Sequence, residues 1–146
     1  MPFMTEELTE DVLEPRDAPQ TILVVDDMSD NLILISLSLQ DMGYRVVTAN
    51  NGEDALNVAK LARPDLILMD IAMPHQDGLA ATRRIREESE LQDVPVVALT
   101  AFDTDGFRQA AFDAGFNGYL TKPIDFDRLK KLMRMLLSGG RTTSLA

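Results

Sequence analysis

The sequence predicts an α/β protein, a doubly wound five-stranded parallel sheet with five helices in three layers. Three observations predict it. Five short apolar runs recur along the chain, and most are continuous rather than alternating and rich in Val, Ile and Leu, as in strands buried on both faces. Stretches of helical length separate them, so each connection between strands is a right-handed βαβ crossover. With 45% hydrophobic residues, the chain has enough apolar surface for one such core.

The strand candidates are residues 22–25, 44–48, 66–69, 95–99 and 118–121. The first helix starts near Ser29 and Asp30, either of which suits an N-cap, and stops at Gly43. Its segment Leu32–Leu39 alternates like a strand over its second half, but length and capping residues favour helix. Its wide apolar surface predicts that this helix is largely buried. A second helix spans about 52–62 and ends before Pro64. A third, about 78–88, ends in a charged segment from Arg83 to Glu88. A fourth, about 104–114, ends at Gly115. A fifth, about 125–137, opens with Asp125 and carries Leu129, Leu132, Met133, Leu136 and Leu137 at helical spacing.

These elements place one domain at residues 21–138, between an N-terminal arm of residues 1–20 and a short tail of 139–146. The net charge is −10, and the arm carries half of it, with Glu6, Glu7, Glu10, Asp11, Glu14 and Asp17 against Arg16. The arm also holds Pro2, Pro15 and Pro19 and no sustained apolar period, so it reads as disordered or loosely attached. A partner-binding arm is the alternative to a solvated one. The acidic balance argues against non-specific nucleic-acid binding, which needs a basic surface. There are no cysteines, which excludes disulfides and thiolate metal sites. No signal peptide is visible, and the apolar runs are too short to span a bilayer. A cytoplasmic protein is the simplest expectation.

Five polar residues stand at the ends of four of the runs. Asp26 and Asp27 close the first, Asp70 the third and Thr100 the fourth, and Lys122 follows the fifth. In open parallel sheets, ligands bind beyond the carboxyl ends of the strands, so these residues converge where a site belongs. Three crowded carboxylates repel one another unless a proton or a cation relieves them. Mg²⁺ suits them, since it takes hard oxygen ligands, keeps several waters and pairs carboxylates with phosphate; Mn²⁺ is the alternative. Asp26 and Asp27 are adjacent and cannot point the same way along a regular strand, so one ligates directly and the other through water. A carboxylate at Asp70 can attack phosphorus and carry the group as an acyl phosphate. The Lys122 ammonium and the Thr100 hydroxyl would take two phosphoryl oxygens. Alone, each residue could equally be a helix cap, a strand-end cap or a surface lysine; together they describe a phosphoryl site.

Taken in order, these motifs resemble the receiver domain of two-component response regulators. They are Ile22-Leu-Val-Val-Asp26-Asp27, Pro64-Asp-Leu-Ile-Leu-Met-Asp70-Ile-Ala-Met-Pro74 with Asp77-Gly78, Val97-Ala-Leu-Thr100-Ala101, and Gly118-Tyr-Leu-Thr-Lys122-Pro123-Ile124. The resemblance runs from Thr21 to about Leu137. It implies a flavodoxin-like strand order of 2-1-3-4-5 and Asp70 as phosphoacceptor. It implies Mg²⁺ on Asp27, Asp70 and the backbone carbonyl of Ala72, with Asp26 helping through water. It also implies Thr100 and Tyr119 as a switch pair and a cis Lys122–Pro123 peptide. The phosphodonor would be a histidine kinase or a histidine phosphotransfer protein. In the switch, the Thr100 hydroxyl moves toward the phosphoryl group and Tyr119 rotates inward. That reshapes a protein-binding face made by the fourth helix, fifth strand and fifth helix, where an exposed Phe102, Phe107 or Phe112 would mark a docking surface.

The sequence departs from the commonest pattern beside the site. Ala72, two residues after Asp70, offers no side chain to orient water, and Phe102 could shield the phosphoryl group, so self-hydrolysis should be slow. His75 is a solvated loop residue with no role in this reading. The leading expectation is a stand-alone receiver that signals through protein contacts; a receiver fragment of a hybrid histidine kinase is the alternative. A flavodoxin-like cofactor binder would need a Ser/Thr/Gly-rich phosphate loop where Asp26 and Asp27 stand. An aspartyl phosphatase would need an Asp two positions after its nucleophile, where Met28 stands.

Overall fold

The computed structural model describes residues 19–71, 77–101 and 104–138, with Asp77 described by its backbone alone. The expected acidic arm and tail fall almost wholly outside these residues.

The order is β1 (Thr21–Val25), α1 (Ser29–Asp41), β2 (Arg45–Ala49), α2 (Gly52–Ala62), β3 (Leu66–Asp70), α3 (Asp77–Glu87), a 3-10 turn (Ser89–Leu91), β4 (Val96–Thr100), α4 (Asp105–Ala114), β5 (Gly118–Thr121) and α5 (Phe126–Leu137). All strand pairs are parallel, in the order β2-β1-β3-β4-β5. The continuous apolar runs form the three inner strands, and every residue of β3 and β4 is buried. The edges are wetter, and β2 is buried only at Ala49.

Alternation along each strand divides the core between two faces. Leu23, Val25, Ile67, Met69, Val96 and Ala98 meet the inner sides of α2, α3 and α4. Ile22, Val24, Leu66, Leu68, Val97 and Leu99 meet α1 and α5. Burying this surface, at about 25 cal/mol per Å² of apolar area, is the main force holding the layers together.

Most caps follow the expected chemistry. The Thr104 hydroxyl accepts from Phe107 N at 3.1 Å. Asp125 Oδ1 accepts from Asp127 N at 3.0 Å. Gly115 closes α4 at φ 112°, a left-handed conformation that favours glycine. The start of α1 differs, because the N-cap position is Met28, with no side-chain cap. Asp26 has taken the capping role from upstream, its Oδ1 accepting from Met28 N at 2.9 Å.

The prediction that α1 is largely buried is wrong. Only Ile35 and Leu39 are buried, while Ile33, Leu34 and Leu37 are 57–58% exposed. Two helices cover this face of the sheet, and nothing lies outside them among the described residues. A helix in an outer layer buries one stripe, and the rest of its apolar surface meets water. Arg86 also escapes the expectation of a simple charged helix end. It is bonded to the chain at Leu91, Gln92, Val94, Gly115 and Asn117.

Candidate functional site

Strand register brings the polar strand ends together. Val25 pairs with Met69, so Asp26 and Asp70 follow side by side. Asp70 pairs with Leu99, which puts Thr100 one residue further along β4. Thr100 pairs with Thr121, and Lys122 comes next, its N–H donating to Thr100 O at 2.8 Å. Gly78, in the first turn of α3, lets that helix approach the end of β3. A Cβ there would lie 2.5 Å from Ile71 Cγ2.

The site is a partly closed acidic cup. Asp26, Asp70 and Thr100 are 1%, 3% and 0% exposed, whereas Asp27 faces solvent. Lys122 Nζ lies 2.9 Å from Asp70 Oδ2, a charge-assisted hydrogen bond, and 3.9 Å from Asp26 Oδ2. The Lys122–Pro123 peptide is cis. Burial pushes the Asp26 carboxyl up from 3.8 to about 6, and the neighbouring Asp70 adds to that, against the Met28 N–H and Lys122.

These residues can hold a cation. One carboxylate oxygen from each of Asp26, Asp27 and Asp70 falls within 4.8 Å of the others. Asp26 Oδ2 is buried without a hydrogen-bond partner among the described residues. A lone ammonium at 3.9 Å leaves that oxygen undersatisfied, and a hard divalent ion with its waters would satisfy it. The oxygen-only donor set suits Mg²⁺. Ala72, the expected carbonyl ligand, lies outside the described residues, as do His75 and Phe102.

Thr100 and Tyr119 share the sheet face that meets α4. Their strands pair Thr100 with Thr121 and Ala98 with Tyr119, so the two side chains project the same way. Tyr119 is 9% exposed and belongs to the core cluster. The Arg108 guanidinium of α4 covers the ring, 4.5 Å from its centroid. Arg108 is absent from the expected site residues, because its only sequence signal is a cation on the inner side of an amphipathic helix. Of the three phenylalanines, Phe107 packs against the core and Phe112 is exposed.

Residues 22–134 match the family model for the response regulator receiver domain. The chain belongs to the response regulator receiver family. This receiver is 34% identical over 122 residues to the polar-differentiation response regulator DivK of Brucella anthropi, covering 84% of this chain and 99% of DivK. It superposes on the Vibrio cholerae chemotaxis protein CheY4 with a TM-score of 0.78 at 33% identity, covering 82% of this chain and all of that one. It is also similar to the receiver domain of the Pseudomonas aeruginosa sensor histidine kinase PA1611, at 38% identity and a TM-score of 0.75, over 82% of this chain and 98% of that domain. That structure has a magnesium ion coordinated in its active site cleft. No described helix of this receiver is long and apolar enough to cross a membrane.

Proposed function

We propose that this receiver works in a phosphorelay, taking a phosphoryl group onto Asp70 from a histidine kinase or histidine phosphotransfer protein. The observation that carries the reading is the buried Asp70 carboxylate, held by Lys122 at 2.9 Å and flanked by Asp26 and Asp27. An Asp70 oxygen attacks phosphorus in line. The P–N bond to the donor imidazole breaks, and the electron pair leaves with the imidazole, which takes up a proton. Lys122 moves its ammonium from the carboxylate to a phosphoryl oxygen, and the Thr100 hydroxyl donates to another. Asp26, Asp27, Asp70 and the Ala72 carbonyl are the groups that would hold Mg²⁺. When bound, the ion would neutralise charge on the transferring group. The chain catalyses only its own phosphorylation and dephosphorylation.

The signal leaves through Thr100 and Tyr119. Drawing the Thr100 hydroxyl toward the phosphoryl group changes the space beside Tyr119 on the same sheet face, and hence the surface of α4, β5 and α5. A downstream protein that reads this surface completes the function. The likeness to a domain of a sensor kinase supports a second setting, as a receiver within a hybrid kinase, with the same chemistry at Asp70.

Incubation with acetyl phosphate and Mg²⁺, followed by intact-mass analysis, tests the reading. Wild type should gain one phosphoryl group, and neither Asp70→Asn nor a sample in EDTA should. An adduct of equal yield on Asp70→Asn would refute it.

A further inference from the structure

Beside Tyr119, the face of β5 and α5 carries a groove of about 350 Å³, lined by Tyr119, Leu120, Arg128, Lys131, Leu132 and Met135. Its lining combines the apolar Leu120, Leu132 and Met135 with two cations, Arg128 and Lys131. Met135 is 57% exposed, a large apolar side chain left to water. Along α5, Arg128, Lys130, Lys131 and Arg134 stand against the single anion Asp127, in a chain whose net charge is −10. A basic, apolar groove on a strongly acidic protein calls for an acidic, apolar occupant.

We propose that the occupant is this chain's own N-terminal segment, residues 1–18. Its sequence offers six acids, Glu6, Glu7, Glu10, Asp11, Glu14 and Asp17, against Arg16. Phe3 and Met4 stand ahead of these acids and Leu8, Val12 and Leu13 among them, apolar side chains that match the apolar part of the groove's lining. The chain path allows the contact. β1 begins at Thr21, at the edge of the sheet where all the strands start. Helix α5 leaves the opposite edge and runs back, so Lys131 and Met135 on its later turns lie toward the edge from which the segment emerges. Three strand spacings separate β1 from β5, about 15 Å, whereas eighteen extended residues can span about 60 Å. Tethering also gives the segment an effective concentration in the millimolar range. A second copy of the chain has no such advantage, and its net charge of −10 repels it.

Docking of the segment does not depend on the chemistry at Asp70. Its consequence does rest on the proposed function: if this face is the output surface, the segment masks it, and a downstream protein must displace the segment to bind.

The test uses the full chain. Because it lacks cysteine, Thr5→Cys accepts a single nitroxide label. In the ¹⁵N spectrum at low salt, the Leu120, Lys131 and Leu132 amides should broaden strongly, and Val47 on the far edge strand should not. The broadening should fade near 1 M salt, where charges are screened beyond about 3 Å. It should also fade in the double variant Arg128→Glu, Lys131→Glu, and return when Glu6, Glu7 and Glu10 are changed to Lys in that background. Equal broadening at Val47 and Leu132, or broadening indifferent to these reversals, would overturn the proposal. So would broadening in a mixture of labelled ¹⁴N chain with unlabelled ¹⁵N chain, which identifies a second copy as the occupant. Asp70→Asn should keep the broadening while losing phosphoryl uptake, which separates this inference from the acceptor chemistry.

Discussion

Asp26 shows how one residue serves both fold and site. Its Oδ1 caps the entry to α1 through Met28 N, and its Oδ2 faces Asp70 and Lys122 without a hydrogen bond. Burial raises its pKa from 3.8 to about 6, so the folded chain binds this proton more tightly than the unfolded chain. The stability that the proton supplies is complete below about pH 4 and is lost as pH rises through about 6. Without Mg²⁺, Asp26→Asn should therefore exceed wild type in stability at pH 7.5 by about 1–3 kcal/mol, and match it near pH 4. Urea unfolding at the two pH values checks this; an equal difference at both would contradict it. Ala72 carries a second prediction at this scale. A methyl group cannot orient water toward an acyl phosphate, so Ala72→Asn should shorten the phosphoryl lifetime several-fold in single-turnover decay. The residues at this scale were legible in the sequence because each follows a strand. The burial of Asp26 against the exposure of Asp27 was not, since adjacent residues differ only in where the turn aims them.

Among the elements, the join of α3 to α4 depends on Arg86. Its guanidinium donates to the carbonyls of Leu91, Gln92, Val94 and Gly115 and to Asn117 Oδ1. Asn117 Oδ1 also accepts from Val96 N at 2.8 Å, which ties the start of β4 to the same knot. Gly115 fits because its backbone is left-handed and because a Cβ would lie 2.8 Å from Arg86 Cγ. Arg86→Lys keeps the charge but cannot reproduce the planar fork of donors. It should cost about 2–4 kcal/mol in urea unfolding, as several carbonyls lose their partner. A cost below that of an exposed Arg84→Lys control would contradict this role. In the sequence, Arg86 was one cation within a charged helix end, and its partners are distant in the chain. Helix α1 shows the converse. Its apolar residues read as buried, yet Ile33, Leu34 and Leu37 are exposed because the layer ends there.

For the whole molecule, the acidic cup opposes folding while it lacks a cation, and a bound cation reverses that opposition. A ligand that binds only the folded state stabilises it by about 2.7 kcal/mol at a hundred times its Kd. Saturating Mg²⁺ at pH 7.5 should therefore raise the melting temperature by several degrees. Asp27→Ala, at an exposed position, should leave the metal-free melting temperature nearly unchanged and abolish the rise. An undiminished rise would exclude Asp27 from the metal site. The layers, the strand and helix positions and the polar residues at the strand ends are all legible in the chain alone. Hydrophobic continuity, caps and turn residues are local signals, and a parallel sheet aligns its strand ends by construction. Which carboxylate is buried, how Lys122 is shared between Asp26 and Asp70, where Arg86 finds its carbonyls and which apolar faces stay uncovered emerge from the folded arrangement. Those outcomes depend on register and on what packs against what, and they join residues far apart in the chain.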